Sequence, residues 1–136
     1  MKTFNFNGTT VRMSAYNQGT VYNVWGDRLN HYKYIVTVKT DSQKTSFTFH
    51  DSHKNWRDNV NELDDEGLKN ALYCFLSDAS CYDACKDFHD FCTEFGYSSI
   101  EDYGKAKRAF DGCKRHSEAA NRLFADFYTI LDELNN

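Results

Sequence analysis

Apolar side chains alternate in steps of two up to about residue 50 and recur in steps of three and four from about residue 63 onward. The first period belongs to a half-buried strand, the second to one face of a helix. This change of period restricts the chain to an α+β architecture, strands first and helices after. The 136 residues fit one domain, 1–136, with a β-sheet part over 1–50 and a helical part over 61–135. An aromatic content of 16% excludes a disordered chain. No apolar run is long enough to span a bilayer. Met1-Lys2 followed by alternating residues is not a secretory leader, which points to the cytoplasm.

In the first half, Phe4 and Phe6 alternate with Thr3 and Asn5, and Asn7-Gly8 supplies a tight hairpin turn. Val11, Met13 and Ala15 form the next strand, and Asn17-Gln18-Gly19 reads as a second turn. Thr20 to Trp25 is a third strand, broken by Gly26-Asp27. Tyr32, Tyr34, Val36 and Val38 alternate with Lys33, Ile35, Thr37 and Lys39 in a fourth. Asp41-Ser42 turns the chain, and Phe47 and Phe49 point inward from a fifth. The expectation is an antiparallel meander of about five strands with one face covered. His50-Asp51-Ser52-His53 combines residue types that hold metals or move protons, but no nucleophile or third ligand stands at a defined spacing. A polar loop is the preferred reading.

In the second half, Asp64 can cap a first helix, with Leu63 stapled to Leu68 and the apolar face Leu68, Leu72, Phe75, Leu76 and Ala79. Ser77 to Ser80 reads as a break. A second helix is expected from about Cys81 to Phe95, with a core stripe of Cys81, Ala84, Cys85, Phe88, Cys92 and Phe95. Gly96 ends it in the left-handed position, with Tyr97 as the accompanying hydrophobe. Ser98 and Glu101 have capping-box spacing for a third, long helix reaching about Leu134. Its steps of three and four from Tyr103 to Leu134 describe a seam. That seam packs on its own domain or, alternatively, forms a homodimer. Gly104 and Gly112 are candidate kinks.

The five cysteines, Cys74, Cys81, Cys85, Cys92 and Cys113, point to reduced thiols. Cys81, Cys85, His89 and Cys92 would run along about three turns of one helix and cannot converge on a tetrahedral ion. They read as small core hydrophobes, with no metal and no cofactor.

Charge is unevenly spread. Residues 1–56 carry seven basic against three acidic side chains, and residues 57–103 carry three against twelve. On a continuous helix Asp83, Asp87, Asp90 and Glu94 would fall at roughly 0°, 40°, −20° and 20°, one acidic stripe. Such like-charge spacing costs a few tenths of a kcal/mol per pair, about 1 kcal/mol in all. One explanation pairs the stripe with Arg108, Arg115 and Arg122, which recur every seven residues. The other leaves it exposed as an imitation of phosphates, attractive to a basic groove. The basic half offers a different surface, with Arg12, Arg28, Lys33 and Lys39 near Tyr22, Trp25, Tyr32 and Tyr34. Aromatics on a basic sheet can stack bases, unless they form the sheet core.

The stretch Asp87-Phe88-His89-Asp90-Phe91-Cys92-Thr93-Glu94-Phe95-Gly96-Tyr97 resembles a block found in small bacteriophage and prophage proteins, Phe-Cys-x-Glu-Phe-Gly-Tyr at its core. Lys105-Ala106, Cys113-Lys114 and Arg122-Leu123-Phe124 match the helix that follows it there. Ala71 to Ala79 and Phe47 to Ser52 are also similar, so the likeness covers roughly residues 45 to 125. This chain departs from the pattern by inserting Cys81-Tyr82-Asp83-Ala84-Cys85. The resemblance implies an accessory phage protein of counter-defence type. The expectation is a non-enzymatic, anti-CRISPR-like inhibitor in the host cytoplasm. It would bind a host defence nuclease complex through Asp83, Asp87, Asp90 and Glu94. A nucleic-acid-binding accessory protein using the basic sheet is the alternative, and an enzyme built on His50, Asp51 and His53 ranks last.

Overall fold

The structure, a computed structural model, describes residues 1–6, 8–53 and 64–136, with His53 described in its backbone only. Among these residues four strands precede four helices. The strands are β1 (Lys2–Phe6), β2 (Thr9–Tyr22), β3 (Arg28–Lys39) and β4 (Lys44–His53). The helices are α1 (Asp65–Ala84), α2 (Phe88–Phe95), α3 (Tyr103–Leu123) and α4 (Phe127–Leu134). The α+β class holds, with four strands rather than five and four helices rather than three. Asn7 of the expected first turn and Leu63 of the expected staple lie outside the described residues. The chain forms two compact units, Met1–Ala71 and Leu72–Asn136, and the division falls inside α1.

In the first unit the strands form one antiparallel sheet in the order β1-β2-β3-β4. Asn17-Gln18-Gly19 does not turn the chain. It carries one extra residue within β2, because Asn17 faces Tyr32 while Thr20 faces Asn30. Asn17 Oδ1 accepts from Gly19 N–H at 2.8 Å, and Gly19 takes a φ of +118°. A local side-chain bond thus absorbs the insertion, and the two expected strands become one. The actual turn spans Asn23 to Asp27. At the far end β4 runs through His50, Asp51 and Ser52 to His53, so this segment is strand and not loop.

The register sorts the side chains. Val11 faces Val38, Met13 faces Val36, Phe4 faces Val11 and Tyr34 faces Phe49. These residues share one side of the sheet, and all are buried. Tyr34 and Phe49 stack with ring centroids 5.0 Å apart, a cross-strand pair worth about 0.5–1.5 kcal/mol beyond its area. The start of α1 is tied to β1. Lys2 Nζ lies 3.5 Å from Asp65 Oδ1, and Lys69 Nζ lies 5.3 Å from the centre of the Phe4 ring.

In the second unit α1 continues past Ser77–Ser80, where a break was expected. The Ser80 hydroxyl donates to Ser77 O at 2.7 Å, a bond back into its own helix that caps nothing. The real break lies at Cys85–Asp87. Asp87 is the N-cap of α2, accepting from Asp90 N–H, while Asp90 Oδ2 accepts from Lys86 N–H at 3.0 Å. This reciprocal arrangement starts a new helix at Phe88 and buries Phe91 and Cys92. Gly96 ends α2 at φ +74°, Tyr97 N–H reaches Cys92 O, and the Tyr97 ring stacks on Phe91, as expected.

Ser98 Oγ accepts from Glu101 N–H, but the return bond runs from Ser98 N–H to Asp102, and α3 begins only at Tyr103. The expected long helix also ends early. Asp126 caps α4 by accepting from Tyr128 N–H, so Phe124 to Asp126 separates α3 from α4. Gly104 and Gly112 break nothing. Phe110 sits among Tyr82, Phe88 and Phe91, with ring centroids 5.3–5.5 Å away. Ala106, Ser117, Ala120, Phe124 and Phe127 of the seam are buried in the single chain.

Candidate nucleic-acid interface

The side of the sheet opposite the apolar core is built by the same alternation. Thr37 faces Arg12 and Ser46, Lys39 faces Thr10 and Lys44, and Lys33 faces Tyr16 and His50. Ile35 faces Ser14 and Thr48, and His31 faces Ser52. Arg12, Lys33, Lys39 and Lys44 therefore lie on one side, together with two imidazoles and a lattice of Ser and Thr hydroxyls. Thr37 and Ser46 join their hydroxyls at 2.9 Å. Among the described residues, no carboxylate belongs to this side of the three strands, and none of the four cations forms an ion pair. The three acidic residues of the sheet region are elsewhere. Asp27 closes the hairpin tip, Asp41 is in the β3–β4 turn, and Asp51 faces Tyr32 on the core side.

Two imidazoles stand at one end of this side. His31 and His50 stack with centroids 5.6 Å apart and planes within 2°. His31 Nδ1 is 2.7 Å from Ser52 Oγ.

The aromatic residues expected beside the cations divide into two sets. Tyr32 and Tyr34 are fully buried on the core side, because residues of opposite parity in a strand point to opposite faces. They cannot stack a ligand on the basic side. Tyr22 and Trp25, 69% and 82% exposed, stand with Val24 at the β2–β3 hairpin tip. The tip is ordered by its own bonds. Asn23 Oδ1 accepts from Trp25 and Asp27 N–H at 3.0 and 2.9 Å, Asn23 N–H bonds to Asp27 O, and Gly26 N–H bonds to Asn23 O. Tyr22 faces Arg28 across the ladder. The alternation missed Lys44, His31 and Tyr16 and placed His50 in a loop; the register joins all four to Arg12, Lys33 and Lys39. Their shared parity along each strand was the available signal.

The four acidic residues expected to form one helical stripe are split by the break before α2. Asp83 ends α1 and accepts from Ser117 Oγ at 2.5 Å and from the Tyr128 hydroxyl at 3.2 Å. Asp87 and Asp90 hold the α2 N-terminus, and Glu94 is exposed on α2. Among the described residues no ion pair joins these carboxylates to Arg108 or Arg115. The carboxylates do act on nearby thiols. Burial, then Asp78 and Glu94, push the Cys81 thiol up, and burial, then Asp90 and Glu94, do the same at Cys85. Burial and Asp78 push Cys113 up to about 12. These thiols are therefore poor nucleophiles.

Among the described residues no three His, Cys, Asp or Glu side chains gather as a metal site, and no helix is long and apolar enough to cross a membrane. No family model, no curated protein and no solved structure matches the chain.

Proposed function

We propose that the protein binds single-stranded nucleic acid on the polar side of its sheet. The observation that carries this reading is the gathering of Arg12, Lys33, Lys39 and Lys44 on a side without a carboxylate among the described residues. Such a surface attracts a polyanion through counterion release. The hairpin tip adds Trp25, whose exposed ring can stack on an unpaired base, at about 1–3 kcal/mol per base, while Tyr22 and Arg28 share the strand parity of the core side. A duplex hides its bases from this ring, so a single strand is the better match. The likeness to small phage proteins supports reading the chain as a phage accessory protein acting in the cytoplasm of the infected cell. No catalytic group is required.

Fluorescence anisotropy with single-stranded oligonucleotides tests it. Four phosphate contacts give a slope of log K against log salt near −3, from about −0.7 per contact. The variant R12E/K33E/K39E/K44E loses binding, and Trp25→Ala weakens it about tenfold or more. No binding by the unaltered protein at low salt sinks the reading.

A second reading keeps the acidic region as the active surface. There the protein is an anti-CRISPR-type inhibitor that binds a host nuclease complex through Asp83, Asp87, Asp90 and Glu94. Its support is the negative charge at the α1–α2 junction, which adds to burial in raising the Cys81 and Cys85 thiols. Asp83, Asp87 and Asp90 already serve internal bonds, which leaves Glu94 as the residue most available to a partner.

A further inference from the structure

We propose that His31 and His50 form a phosphate subsite that takes up protons as it fills, an inference that rests on reading this side of the sheet as a nucleic-acid interface. The two imidazoles lie parallel, with centroids 5.6 Å apart, so protonating both places two like charges close together. Lys33, opposite His50 in the ladder, adds a third. The other groups around them do not offset this. From β2 comes the Tyr16 hydroxyl, opposite Lys33, and from β4 the Ser52 hydroxyl, opposite His31. Asp51 is the nearest carboxylate in the β4 sequence. It belongs to the core side, where it faces Tyr32, and its Oδ1 accepts from Ser52 N–H at 2.8 Å.

The two imidazoles and Lys33 thus have no carboxylate on their side of the sheet among the described residues. A phosphodiester supplies a counterion and stays ionised throughout the range in which imidazole changes charge. Binding and protonation then favour each other by linkage. Ser52 permits both states of His31. Its hydroxyl donates to a bare Nδ1 or accepts from a protonated one, holding the ring at 2.7 Å either way. Nε2 of His31 is left without a partner among the described residues and can donate to a phosphate oxygen. His50 is exposed beside it.

The test is the affinity of the full chain for a Cy5-labelled oligothymidylate, whose bases do not titrate in this range. It is measured from about pH 5.5 to 8 at constant ionic strength. The expected result is binding about tenfold or more tighter at the acid end. The salt slope should steepen there by about 0.7 for each imidazolium engaged. Calorimetry in buffers of different ionisation enthalpy should register uptake of up to about two protons per oligonucleotide. In H31Q/H50Q the pH dependence flattens, because glutamine takes up no proton in this range. H50K, with a permanent charge, recovers tight binding at the alkaline end and shows that the charge, and not the ring, is what matters. Binding that is flat with pH, or a pH dependence that survives in H31Q/H50Q, overturns the subsite and leaves the interface standing. Absence of binding at every pH overturns the interface and the subsite together.

Discussion

Cys113 is the residue whose chemistry is most changed by its surroundings. Burial and the field of Asp78 raise its thiol from 9.0 to about 12. In the unfolded chain the thiol ionises near its ordinary value, so above about pH 9 the unfolded state binds fewer protons than the folded one. The stability tied to this group is fully present below that pH and is lost as pH rises toward 12. The unfolding free energy should therefore decline across that window, and less steeply in Cys113→Ala, as urea titrations at successive pH values will register. Sequence reading identified the cysteines as small core hydrophobes; Cys92 is buried, whereas Cys74, Cys81, Cys85 and Cys113 are only partly so. The carboxylate that acts on Cys113, Asp78, comes from α1, about thirty-five residues away, and no local spacing reports such a neighbour.

At the scale of elements, aspartates decide where helices begin. Asp87 and Asp126 each accept a backbone N–H at a helix start. A helix face and a helix cap make the same demand on spacing, since both place acids three or four residues apart. Asp87-x-x-Asp90 was therefore read as surface stripe when it is the start of α2. Asp87→Ala should cost about 0.5–2 kcal/mol, measured by urea unfolding, whereas Glu94→Ala should change stability by under about 0.5 kcal/mol. Gly96 was legible because left-handed backbone leaves few alternatives to glycine, and the Tyr97–Phe91 stack followed from the same motif. The end of β4 was not legible. His50 to Ser52 reads as loop by composition, and only pairing with His31, Tyr32 and Lys33 makes it strand.

For the whole molecule the net charge of −4 conceals a basic sheet half and an acidic stretch of the helical half. If the sheet side is the working one, the chain will be held on phosphocellulose at low ionic strength, despite carrying the same sign of charge as the matrix. K33E/K39E will elute at lower salt, and Glu94→Lys will not. If the acidic region is the working one, K33E/K39E will leave capture of a host nuclease complex intact and Glu94→Lys will abolish it. The basic half was visible in the composition. Its assembly into one surface was not, because Lys44 joins Lys39 only through the β3–β4 ladder. The alternation did contain the fact that Tyr32 and Lys33 look in opposite directions.

The surplus residue between Asn17 and Thr20 also puts the two stretches of β2 out of phase. Odd positions look toward the core before it, and even positions after it. Tyr22 keeps its station opposite Arg28 only because of that slip. A homologue shorter by one residue at Gln18 would pair regularly and still set its counterparts of Val21 and Tyr22 opposite Leu29 and Arg28, so relatives should be aligned with the gap at the bulge before their tips are compared.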